Sequence, residues 1–202
     1  MTVALDGVQS PVAFWMPKKG EKVYVWFHGG MSSSNCAKGL VAGTDWAQMH
    51  PNDVTLSASA CGKNHWVTDL MVKVVDKALD SVALVRKKPI DRVSLIGVSD
   101  GALGVVVYSL YGKRTVEGRL LVSSNGSSLG PAEAVANPLK SKGGGWTFMQ
   151  GGADRLYPAE MTVPWIQSFC GVLGGSCQLI FDEKGVHDWS FWKDRAKGLD
   201  KF

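Results

Sequence analysis

Three side chains, far apart in the chain and each standing just after a run of apolar residues, could together carry out nucleophilic chemistry: Ser99, Asp154 and His187. Gly97-Val98-Ser99-Asp100-Gly101 follows the run Arg92-Val93-Ser94-Leu95-Ile96 and leads into Ala102-Leu103-Gly104-Val105-Val106-Val107-Tyr108. That pattern reads as strand, sharp turn and helix with the serine at the turn, a nucleophile elbow. Glycine two residues to either side is what so tight a turn needs, because a Cβ at either flank would run into neighbouring backbone. Glycine-x-serine-x-glycine alone also matches ordinary turns; the strand before it and the helix after it supply the context.

A serine hydroxyl is a poor nucleophile at neutral pH and needs an adjacent base. His187 is the candidate, since an imidazole titrating near about 6.5 can take the proton during attack and return it to the leaving group. Asp154 is the candidate carboxylate to set its tautomer and steady the imidazolium. The attacked carbonyl oxygen becomes an anion, and the backbone N–H of Asp100 is one expected donor to it. The second is expected from the turn His28-Gly29-Gly30-Met31, from Gly30 ahead of Met31, because a residue without a side chain lets backbone come close. His28, Met31 and Trp189 are the expected substrate contacts, although Trp189, like Trp192, also reads as packing for the last helix. His28, His50 and His65 compete with His187 as base. Asp69 and Asp100 could also supply a carboxylate in place of Asp154, whereas Asp182, Glu183 and Asp188, which flank His187 in sequence, read as solvated charge. The order serine, acid, histidine after successive strands favours the first set.

Those residues need a scaffold. Val23-Tyr24-Val25-Trp26-Phe27 is a continuous apolar run of the kind that forms a fully buried strand. Further strands are expected at 54–60, 92–96, 119–124, 146–150 and 178–181, with 11–15 as an edge strand. Helices are expected at about 33–48, weakened by Gly39 and Gly43, at 66–85 up to Pro89, after Ser99, at 159–172 and from 189. Strands alternating with helices predict an α/β fold, a mostly parallel sheet with helices on both faces. In such a sheet ligands gather beyond the carboxyl ends of the strands, where all the candidate residues stand.

At 202 residues the chain is expected to form one domain, 1–202. No apolar stretch approaches the ~20 residues of a membrane span. With 22 basic and 18 acidic residues the net charge is +4, too small and scattered to imply nucleic acid. Lys18-Lys19 and Arg86-Lys87-Lys88 read as solvated loop charge. No cysteine or histidine spacing suggests a metal. The N-terminus shows no signal peptide. Cys36, Cys61, Cys170 and Cys177 permit two disulfides, Cys36–Cys61 and Cys170–Cys177, or stand as four buried thiols. The first alternative implies a secreted or periplasmic protein, the second a cytoplasmic one.

Four segments resemble the α/β-hydrolase superfamily, in particular its compact serine carboxylesterases of the esterase-D, feruloyl esterase and polyhydroxyalkanoate depolymerase kind. They are His28-Gly29-Gly30, residues 90–102 around Ser99, Gly151-Gly152-Ala153-Asp154-Arg155-Leu156-Tyr157-Pro158, and Gly185-Val186-His187-Asp188-Trp189-Ser190-Phe191-Trp192. The resemblance implies ester hydrolysis through an acyl-enzyme, no cofactor, and Ser99, Asp154 and His187 as the triad. Spacings of 55 and 33 residues between the three leave no room for a large lid. An open site for a short-acyl or polymer-borne ester follows. The same triad would serve a thioesterase or a peptidase, and a non-catalytic binding protein on this fold is the alternative from another class.

Overall fold

The computed structural model describes residues 1–17, 20–124 and 126–199. Lys18-Lys19 lies outside the described residues. Among them, eight strands form one sheet in the order β1-β2-β4-β3-β5-β6-β7-β8. These are β1 (Thr2–Leu5), β2 (Val8–Trp15), β3 (Val23–Phe27), β4 (Val54–Ala58), β5 (Arg92–Val98), β6 (Thr115–Val122), β7 (Gly145–Gly151) and β8 (Cys177–Asp182). From β4 through β8 every neighbour pair is parallel, whereas β1 and β2 join as an antiparallel hairpin at one edge.

The two faces separate by the period-2 alternation of strand side chains. In β3, Val23, Val25 and Phe27 point into one core while Tyr24 and Trp26 point into another, so all five residues are buried. The first core is filled by α3 (Asp69–Arg86), α4 (Gly101–Tyr111), the short α5 (Ala132–Ala136) and α6 (Ala159–Leu173). The second is filled from α2 (Thr44–Met49) and α7 (Trp189–Lys197), with Trp46 and Trp192 fully buried in it. Helices thus cover both faces, as alternation of strands and helices leads one to expect. No helix among the described residues is long and apolar enough to cross a membrane.

Several boundaries differ from the sequence expectation for local reasons. The helix expected at 33–48 is split into α1 (Ala37–Ala42) and α2, with Gly43 between them and Gly39 inside α1. A Cβ on Gly39 would press on Ser59 at 2.5 Å, and one on Gly43 would meet the Trp15 ring at 3.1 Å. Helix α3 starts at Asp69 rather than 66, because the Thr68 side chain accepts from Met71 N–H as its cap. It ends through Lys87 in a left-handed conformation, before Pro89 is reached. The N-terminal strand extends into a hairpin turned by Asp6-Gly7, both at positive φ.

Cys36–Cys61 and Cys170–Cys177 are both disulfides, and no described cysteine is free. The first ties the segment after β3 to the segment after β4, which also meet at a Ser33–Cys61 bridge and a Ser32 N–H to Ala60 O bond of 3.1 Å.

Candidate active site

Strand β5 runs straight into the turn that carries Ser99, whose φ of +56° is left-handed and strained for a residue with a side chain. Neighbouring backbone makes the turn possible only with glycine at both flanks. A Cβ on Gly97 would lie 2.5 Å from the Gly101 carbonyl oxygen, and one on Gly101 would collide with the Phe27 carbonyl. Ser99 N–H donates to Val122 O at 2.8 Å, anchoring the elbow to β6. Helix α4 starts immediately after it.

The acid and the histidine come from the loops after β7 and β8, which are held together. Gly152 N–H donates to Asp182 O at 2.9 Å and Ala153 N–H to Gly185 O at 2.9 Å. The Trp192 indole, buried in the second core, donates to Val186 O at 3.0 Å and fixes the histidine loop from α7.

His187 consequently bridges the other two side chains. Its Nδ1 donates to Asp154 Oδ2 at 2.8 Å, and its Nε2 stands 2.9 Å from Ser99 Oγ. With the proton on Nδ1 held by the carboxylate, Nε2 is left to accept from the serine hydroxyl. Asp154 is only 3% exposed. Its other oxygen accepts from Leu156 N–H at 2.9 Å and Tyr157 N–H at 2.8 Å, so the carboxylate is oriented by its own loop. The His187 side chain stays 20% exposed, open to an incoming reactant.

The turn after β3 lies against Ser99: a Cβ on Gly29 would sit 2.9 Å from Ser99 Cβ. Gly30 has φ +63° and its N–H donates to no described residue, and the Asp100 N–H is likewise uncommitted. Met31 N–H, by contrast, donates to Asp100 Oδ2 at 3.3 Å, and the Met31 side chain packs partly into the first core. An ammonium, that of Lys38, stands 2.5 Å from where a Gly30 Cβ would be.

Other residues singled out in the sequence are placed differently. His28 is 2% exposed, and both of its ring nitrogens are spent inside the protein. Nδ1 bonds Gly29 O at 2.8 Å, so Nε2 accepts from Ala60 N–H at 3.0 Å. Burial holds its pKa below the ordinary value, partly offset by the bond to Gly29. This neutral imidazole joins the ends of β3 and β4 rather than facing a substrate. Trp189 packs edge-on against Trp26, 4.8 Å between ring centres, beside the second core. His50 stacks on Trp46 and His65 bonds Ser32 Oγ at 3.0 Å, so neither reaches Ser99. Asp182 pairs with Arg195, and Asp188 caps α7. Tyr157 has no role that its sequence context alone assigns. Its hydroxyl donates to Asp100 Oδ1 at 2.9 Å and its ring meets His187 edge-on at 4.9 Å. Its place three residues past the acid, on the same short turn, is the signal that could have marked it.

Among the described residues no group of three histidine, cysteine, aspartate or glutamate side chains is arranged to hold a metal ion.

An eight-stranded, mostly parallel sheet covered on both faces by helices, with Ser99 on the turn after β5, fits the α/β-hydrolase fold. Solved structures of esterases share it at low identity. A thermostable esterase superposes with a TM-score of 0.72 at 14% identity, over 99% of this chain and 60% of that one. Est1E from Butyrivibrio proteoclasticus gives 0.71 at 13% identity over 98% and 93%, and a ferulic acid esterase gives 0.71 at 14% over 98% and 93%. This chain therefore spans less than two thirds of the first of these proteins and most of the other two. The sequence matches no protein-family model and no curated protein significantly.

Proposed function

We propose that the protein is a serine carboxylesterase that cleaves accessible carboxylic esters through an acyl-enzyme, with Ser99, His187 and Asp154 as its triad. One observation carries the reading: the unbroken chain from Ser99 Oγ through the imidazole to a buried carboxylate, with both links under 3 Å. The esterase character of the structural neighbours supports it.

In this reading His187 Nε2 takes the Ser99 proton as the oxygen bonds to the ester carbonyl carbon. Negative charge moves onto the carbonyl oxygen, where the uncommitted N–H groups of Gly30 and Asp100 receive it. The intermediate collapses, the C–O bond to the alcohol breaks, and the imidazolium returns the proton to the departing oxygen. Water, deprotonated by the same imidazole, then attacks the acyl-serine, the acyl C–Oγ bond breaks to release the acid, and the imidazolium returns the proton to Ser99 Oγ. Asp154 keeps its own charge throughout and holds the imidazole in position.

The preference for an ester on a short acyl chain or a polymer rests on the exposure of the site and its rim. Leu156 is 62% exposed, and Val186, next to His187, also faces solvent. The two disulfides are compatible with secretion. The test is a fluorophosphonate probe together with a panel of nitrophenyl esters of rising chain length. Labelling and turnover that Ser99→Ala abolishes support the reading. A folded wild-type protein that neither labels nor hydrolyses any member sinks it in favour of a binding protein on the same fold.

A further inference from the structure

Besides the histidine loop, three segments meet at Ser99, namely its own turn, the turn after β3 and the acid loop, and a single carboxylate that the proposed reaction does not use touches all three. Asp100 sits on the elbow, its Oδ2 accepts from the Met31 amide of the turn after β3, and its Oδ1 accepts from the Tyr157 hydroxyl of the acid loop. Tyr157 is in turn tied to the acid and the base: its amide donates to Asp154 Oδ1 at 2.8 Å and its ring packs edge-on against His187.

We propose that Tyr157 and Asp100 form a latch that positions the turn bearing Gly30 over the Ser99 hydroxyl, and that they are positioning residues for the reaction. The proposal rests on the esterase reading for its kinetic consequence, though not for its structural one. The turn has little slack, since Gly29 lies against Ser99 and Gly30 is held in a left-handed conformation. A displacement of about 1 Å of a preorganised donor is enough to lose of the order of a hundredfold in rate.

Two physical points favour the pair over Met31 N–H acting on substrate. An amide already given to a carboxylate is not available to a developing oxyanion, which leaves Gly30 as the donor of that turn. A carboxylate close to that oxyanion is also repulsive unless its charge is spread over hydrogen bonds, and the phenol supplies one of them. Burial, and with it the neighbouring Asp100 carboxylate, hold the Tyr157 hydroxyl above its ordinary pKa, opposed by a contact with Ser99, so it remains a donor.

The test compares Tyr157→Phe, Asp100→Asn and the double variant with wild type in two independent measurements. Amide hydrogen exchange read at Met31 by NMR reports the latch whether or not the protein is an esterase. Steady-state kinetics on a nitrophenyl ester, corrected for the folded fraction, report its effect on the reaction. The latch predicts that Met31 exchange quickens about tenfold in each single variant, since a hydrogen bond to a charged group is lost from its chain. It predicts that kcat falls at least about tenfold with KM within about twofold, and that the double variant is no slower than the slower single. Unchanged Met31 exchange in Tyr157→Phe overturns the latch. Faster exchange with unaltered kcat overturns the positioning role. A wild-type protein without esterase activity overturns the proposed function alone, and the exchange result still decides the latch.

Discussion

Gly151 and Gly185 are packed backbone to backbone, so that a Cβ on Gly185 would lie 2.7 Å from the Gly151 Cα and one on Gly151 would collide with the Gly185 carbonyl. This contact closes the acid loop onto the histidine loop, and through it a carboxylate and an imidazole 33 residues apart are set 2.8 Å from each other.

Gly151→Ala should therefore separate the two loops. Overpacking against backbone, which cannot rotate away as a side chain can, is expected to cost about 1–3 kcal/mol of stability. Turnover of a nitrophenyl ester should drop on the order of a hundredfold in the protein that remains folded. Urea unfolding and initial rates on one preparation check both, and an alanine variant with wild-type turnover would show that the contact is not needed.

Asp154→Asn keeps the shape of the side chain but offers an amide where His187 donates. The imidazole then loses the partner that holds its proton on Nδ1, and kcat should fall on the order of ten thousandfold with little change in melting temperature. Ser99→Ala should fall at least as far. Double replacement of Ser99 and Asp154 should be hardly worse than Ser99→Ala, because the residues act as a unit.

Breaking the Cys36–Cys61 disulfide with a cysteine-to-serine pair should lower stability by about 2–4 kcal/mol. It should also loosen the turn after β3, since the bond lies beside Ser32 and Ser33, which pair with Ala60 and Cys61. Circular dichroism melts of the serine variant and of wild type measure the first effect. The ratio of turnover in the two proteins at a temperature where both are folded measures the second.

His28 gives a pH signature. Burial lowers its native pKa below the ordinary 6.5, so the unfolded chain takes up a proton that the native protein refuses. Its contribution to stability is complete above about pH 6.5 and is lost as pH falls from there toward the lowered native value, at up to about 1.4 kcal/mol per pH unit. Urea unfolding at pH 7.5 and 5.0 should show that loss, and His28→Gln, which keeps an acceptor for Ala60 N–H but cannot titrate, should show a smaller one. Equal pH dependence in both proteins would assign it to other groups.

Much of the scaffold could be read from local patterns. The run 23–27, apolar at every position, marks a strand covered on both faces, and β3 is buried throughout. Helical spacing announced α3, and glycines around Ser99 announced a tight turn, although the reason Gly101 must lack a side chain, the closeness of the Phe27 carbonyl, is visible only in the fold. The Asp6-Gly7 turn signal is present in the sequence, yet the hairpin does not follow from it locally, because β1 spans only four residues and buries Val3 alone. His28 and Trp189 were expected at a substrate, since both stand beside motif residues. Their partners, Ala60 and Trp26, come from neighbouring strands and not from neighbouring sequence.

By itself the sequence determined most of the strands and helices and at which end of the sheet the polar residues emerge, because apolar periodicity and glycine placement act within a few residues of each position. Whether Ser99, His187 and Asp154 stand within bonding reach, and that Tyr157 and Asp100 join three loops above them, was decided only by tertiary structure. Hydrogen bonds 57 to 88 residues apart in the chain depend on strand order and loop packing, which no local pattern specifies.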